Sequence, residues 1–188
     1  MTQSYEYIGL IIVTVWVAFR VISLIRPGFL ALWSSLALVC AAFIIASESL
    51  FLIVAVLAPF GAMLPALALQ NIVGRLQDRA HRVFPTSELA IVLIVYVAFL
   101  SASMGVFEFD PYRYGYFPLF GSAAAFVICG YALWRGYHYV AIASVVGQIA
   151  WIFDVGSSNY FDHITHVMVI FVIATVLAKR LWNRRFSP

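Results

Sequence analysis

Apolar residues in this chain do not recur every third or fourth position, as they would on one face of a soluble helix. They run on for the length of a bilayer crossing, and short polar stretches separate one run from the next. A hydrocarbon core asks for about 20 apolar residues per helix. The first run, 7–24, is closed by Arg20, Arg26 and the turn Pro27-Gly28, which does not readily continue a helix. From 29 to 70 the only formal charge is Glu48, so this length holds two helices with a tight turn at 47–49. Pro59, Gly61 and Pro65 then fall inside the third helix and predict a kink there. The stretch 71–87 carries Arg75, Asp78, Arg79, His81, Arg82 and Pro85, and we expect it to be an extramembrane loop. Two more turns follow, 108–116 and 135–138, then the polar stretch 154–160.

The pattern therefore predicts an all-α fold, a polytopic bundle of seven transmembrane helices in a single domain over 1–188. The helices are expected near 7–25, 29–47, 50–70, 88–107, 117–134, 139–154 and 161–181. No internal repeat or low-complexity segment interrupts them.

Composition agrees with the membrane reading. The chain of 188 residues is 64% hydrophobic and 10% charged, with a mean hydropathy of +1.00, where soluble domains carry about 25% charged residues. The opening residues lack the basic region of a signal peptide, so we expect the first helix to be retained. Cys40 and Cys129 lie inside apolar runs and read as small hydrophobic residues, not as a disulfide.

The net charge of +3 reads as a topology signal and not as a nucleic-acid footprint. With alternating spans, Arg20, Arg26, Arg75, Arg79, Arg82, Arg135 and the C-terminal basic cluster fall on one side. Arg113 alone falls on the other. Basic loops face the cytoplasm, which places the C-terminus inside and the N-terminus outside a cell membrane, such as a bacterial inner membrane. An error of one span would scramble this agreement. Glu6, Glu48, Glu108, Asp110, Asp154, Asp162, His163 and His166 then collect on the outer face, and His81 and His138 on the inner one.

Candidate chemistry concentrates in 154–166. If the chain is helical from Phe161, Asp162 and His166 stand at i and i+4, and His163 and His166 at i and i+3, so all three share one sector of the helix. That is a geometry for a divalent metal, and a hydrolytic zinc site needs three protein ligands plus an open position for water. Asp162, His163 and His166 are the candidate metal ligands, and Asp154 or Glu48 the candidate general base. A structural reading stands beside it. Ser158 or Asn159 can cap the last helix, Asp162 then suits the positive end of its dipole, and the histidines are interfacial or carry protons.

Glu48 is either an exposed turn residue or a carboxylate just below the surface, facing the polar end of the last helix. Gln148 is expected to make an interhelical hydrogen bond. The aromatic runs 112–120 and 131–139 suit the membrane interface. No phosphate-binding glycine loop, nucleophile elbow or paired CxxC is present. Haem held across the bundle is disfavoured because His138 belongs to the opposite face from His163 and His166.

The segments Trp151-Ile-Phe-Asp154 and Phe161-Asp162-His163-Ile-Thr-His166-Val resemble the last two helices of the membrane hydrolase superfamily of alkaline ceramidases, hemolysin III proteins and adiponectin-type receptors. In that family the final helix bears HxxxH, and a Ser-x-x-x-His in the second helix completes a zinc site. Here the last helix has HxxH, with Asp162 in place of the first histidine, and the second helix offers Glu48-Ser49. The resemblance implies a site rebuilt with carboxylates or one that has lost its zinc.

Two functions follow as expectations. One is a metal-dependent hydrolase acting on a lipid or lipid-linked amide or ester at the outer face. The other is a non-enzymatic small transporter, proton-coupled carrier or accessory subunit. Membrane lipid is the expected partner in either case, and nucleic acid is not.

Overall fold

The computed structural model describes residues 2–45, 61–77 and 84–186, with side chains from 7 to 183. These residues are all-α, with no strand among them. In chain order the helices are α1 (Thr2–Ile22), α2 (Phe29–Ile45), α3 (Met63–Leu76), α4 (Thr86–Ser103), a 3-10 turn (Tyr112–Tyr116), α5 (Pro118–Arg135), α6 (His138–Ile152), α7 (Tyr160–Ile164) and α8 (Met168–Phe186). Among them, α4 and α5 are long and apolar enough to cross a membrane, while α2 and α6 are shorter apolar helices.

Local signals account for several ends. Pro118 opens α5 with a fixed φ and no N–H to satisfy, and Gly136 closes it at φ +74, donating to the Ala132 and Leu133 carbonyls. α3 departs from expectation. It begins only at Met63, so Gly61 precedes the helix and Pro65 sits in its first turn, where a missing N–H costs nothing. It then runs on to Leu76, through residues assigned from the sequence to a loop. Glu48 and the turn around it lie outside the described residues.

The largest correction concerns the last helix. A continuous helix over 161–181 was expected, but the chain forms the five-residue α7, leaves the helical conformation at Thr165 (φ −115, ψ 156), and starts again as α8. The hydroxyl of Thr165 donates to the Phe161 carbonyl at 2.7 Å, supplying a side-chain bond where the backbone ladder stops.

Packing follows the small residues. α1 lies against α2 and α3, α3 against α6, α6 against α5 and α7, and α4 against α8. Leu10, Leu64, Leu89, Val169 and Ile173 join α1, α3, α4 and α8 in one core, and Val15, Phe19, Ala31, Val39 and Ile72 join α1, α2 and α3 in another. Between α5 and α6, Ala125, Ala132, Ala141 and Ser144 are buried, which lets the backbones approach as small residues do between membrane helices. Gln148 Nε2 donates to Ser122 Oγ across this pair at 3.1 Å, the interhelical bond expected of it.

Polar groups gather at the two ends of α6. At its start, Glu88 is ion-paired with Arg135 and accepts from the Tyr137 hydroxyl at 2.6 Å, and Arg180 donates to the Phe84 carbonyl at 2.7 Å. At its end lies the 153–167 stretch.

Candidate functional site

α7 is held in a socket of glycines drawn from four different parts of the chain. A Cβ on Gly61 would fall 2.6 Å from the Thr165 carbonyl oxygen, one on Gly115 1.9 Å from Asn159 Oδ1, one on Gly121 3.1 Å from the Tyr160 Cβ, and one on Gly147 2.9 Å from an Ile164 methyl. The close approach lets Ala62 N–H donate to the His163 carbonyl at 2.5 Å, so a carbonyl near the end of the short helix finds a partner on the segment leading into α3.

Asn159 sets the start of α7. Its Oδ1 accepts from Phe161 N–H at 2.9 Å and its Nδ2 donates to the Tyr112 carbonyl at 2.8 Å, so one buried amide caps the helix and ties it to the 3-10 turn. Asp162 then stands in the first turn. Its Oδ2 accepts from the Tyr112 hydroxyl at 2.7 Å and from Ser157 Oγ at 2.5 Å. Burial first, and the hydrogen bond to the Asp162 carboxylate second, hold the Tyr112 phenol well above the usual tyrosine range.

The two histidines have different tasks. His163 is 1% exposed and its Nε2 lies 2.7 Å from the Ser157 carbonyl oxygen, which can only accept, so that nitrogen carries the proton. His166 is also buried. Its Nδ1 accepts from Met168 N–H at 3.1 Å and its carbonyl accepts from Val169 N–H, which makes it the residue that restarts the helix at α8.

Among the described residues the sequence candidates lie close together in the chain but no three of them come together. Thr165 turns the backbone between His163 and His166, which removes the shared helix face expected for Asp162, His163 and His166. Asp154 is exposed, at φ +52 in the turn that ends α6, a conformation aspartate tolerates better than most residues. Glu48 lies outside the described residues. Among the described residues no three His, Cys, Asp or Glu side chains come together as a metal site would require. Asp162 Oδ2, His163 Nε2 and His166 Nδ1 are each engaged with a hydroxyl or backbone partner.

Residues that the sequence reading passed over complete the site. Tyr112, assigned to an interfacial belt, is the partner of both Asp162 and Asn159, and Tyr96 on α4 sets its hydroxyl against Thr165. Ser157 serves Asp162, His163 and Asn159 together. The run Ser157-Ser158-Asn159 was the available signal, because residues of this kind cluster where a helix begins.

Comparison of the chain with protein-family models, with curated proteins and with solved structures finds no match.

Proposed function

We propose that this chain is a polytopic integral membrane protein of seven spans, with the 153–167 stretch on the outer face and the C-terminus in the cytoplasm, and that it acts as a small proton-coupled carrier. The distribution of apolar surface supports the membrane part. A long apolar helix in a soluble protein is a core helix and mostly buried, yet 6% of the α4 span and 17% of the α5 span are buried. Ile91, Ile94, Val95, Phe126 and Val127 all stand exposed, a surface suited to lipid and costly in water. The grouping of Arg75, Arg135 and Arg180 at the end opposite Asp162 supports the orientation.

The carrier reading rests on one observation, the break between α7 and α8. A break in a helix frees backbone groups that must find partners inside the protein, and discontinuous helices are where carriers hold ions and substrates. Around this break stand Asp162, His163, His166, Tyr112 and Tyr96, and ionisable groups in such a setting mark proton or ion paths.

The test is reconstitution in liposomes with a trapped pH dye and an imposed pH gradient. A panel of small cations, amines and carboxylates is added in turn. Wild type should dissipate the gradient with one class of solute, and Asp162→Asn should not. Absence of solute-dependent proton flux throughout the panel, together with an equivalent of divalent metal lost in His166→Ala, would return the hydrolase reading in its place.

A further inference from the structure

Far from α7, α1 and α3 run in the same direction and meet in a fixed register. Trp16 Nε1 donates to Asn71 Oδ1 at 3.1 Å, an offset of 55 positions. One turn further along both helices the same offset brings Arg20 against Arg75. The first rung attracts. The second sets two guanidinium groups, permanently charged, where each repels the other.

Ser23 completes the arrangement. Its hydroxyl donates to the Arg20 carbonyl at 3.0 Å, and Arg75 Nη1 approaches its Oγ at 3.5 Å. Among the described residues no carboxylate forms an ion pair with either arginine, the ion pair at this end of the bundle being Glu88 with Arg135 on other helices. Arg20 and Ser23 are half-buried while Arg75 is exposed, so the group opens toward the basic end of the bundle and has the Trp16–Asn71 rung as its floor.

We propose that Arg20, Arg75 and Ser23 form a binding site for a phosphoryl group. Two planar N–H forks suit the oxygens of a phosphate, and arginine is the residue that makes such contacts bidentate. An anion between them turns a repulsive rung into an attractive one, and the Ser23 hydroxyl can exchange its bond to the Arg20 carbonyl for one to an anion oxygen. The phosphodiester of an anionic lipid headgroup and a free phosphate ester offer the same chemistry here. This site does not depend on the carrier reading, since it shares no residue with α7.

The experiment uses the full chain in a neutral detergent and follows thermal unfolding with no anion, with phosphatidylglycerol, with the uncharged lipid diacylglycerol, and with inorganic phosphate. Wild type, Arg20→Gln, Arg75→Gln and Arg26→Gln are compared. With no anion, Arg20→Gln and Arg75→Gln should be at least as stable as wild type, because the repulsion is gone, and this also shows that both fold. Phosphatidylglycerol should raise the wild-type midpoint, and both variants should bind it about 10-fold or more weakly. Arg26→Gln, in the exposed turn after α1, should respond as wild type does. Stabilisation by inorganic phosphate as well assigns the site to free phosphate esters, and stabilisation by phosphatidylglycerol alone assigns it to lipid. The proposal fails if neither anion stabilises wild type, if diacylglycerol does so equally, if Arg26→Gln loses as much as Arg75→Gln, or if Arg75→Gln is less stable than wild type without anion.

Discussion

Gly115 and Asn159 are so close that a single methyl group cannot fit between them: a Cβ on the glycine would lie 1.9 Å from Oδ1 and 2.6 Å from the amide carbon of the asparagine. The neighbour is a buried cap with both polar atoms engaged, so it cannot swing aside without abandoning Phe161 N–H or the Tyr112 carbonyl.

Gly115→Ala should therefore destabilise the protein by about 3 kcal/mol or prevent folding, at the upper end of overpacking costs. Gly130→Ala is the control. That glycine lies in α5 with nothing within 4 Å of its missing Cβ, and the change should be neutral or stabilise by up to about 1 kcal/mol. Thermal unfolding of the two variants, followed by circular dichroism, checks the contrast.

Asp162 accepts two hydroxyls at one oxygen, so the two bonds should not be independent. Tyr112→Phe and Ser157→Ala should each cost about 1 kcal/mol, and the double variant should depart from their sum. A double-mutant cycle on unfolding midpoints measures the coupling. Strict additivity would mean that the carboxylate does not hold the two together.

The raised Tyr112 pKa fixes the direction of one pH effect. Folding favours the neutral phenol, so its contribution is complete below the unfolded tyrosine value of about 10 and is lost as pH rises beyond that. Wild type should lose this part of its stability only above about pH 10, and Tyr112→Phe should lack that loss. Spectrophotometric titration of tyrosinate in the two proteins should differ by one late-titrating group.

His166 supplies the first acceptor of α8 through Nδ1. His166→Asn should keep most of the stability because asparagine caps helices well, while His166→Ala should cost about 1 kcal/mol. Equal unfolding midpoints for the two variants would remove the capping role.

Why the last helix was misread is physical. Only Thr165 and His166 separate Ile164 from the apolar run that resumes at Val167, a polar step too short for hydropathy to mark a break. Its cause lies elsewhere in the chain, in the close approach of Gly61 and in Ala62 N–H taking the His163 carbonyl. A contact between distant segments leaves no local trace. By contrast, the starts of α2 at Phe29 and α5 at Pro118, and the ends of α5 and α6, were legible because turn residues sit there. In the site, Asn159 as a cap was legible for the same reason. The pairing of Tyr112 with Asp162 was not, since it spans 50 positions.

The glycine socket also orders events in time. Its walls, Gly61, Gly115, Gly121 and Gly147, all precede α7 in the chain, so the ribosome releases the whole receptacle before the piece it receives. Loops of very different length must close before α7 can seat, which makes its capture a closing step of assembly. Until then Asp162, Asn159 and His163 have water as their partner, and the slot prepared for them stays open. A chain halted short of Tyr160 would leave that slot without the piece that fills it.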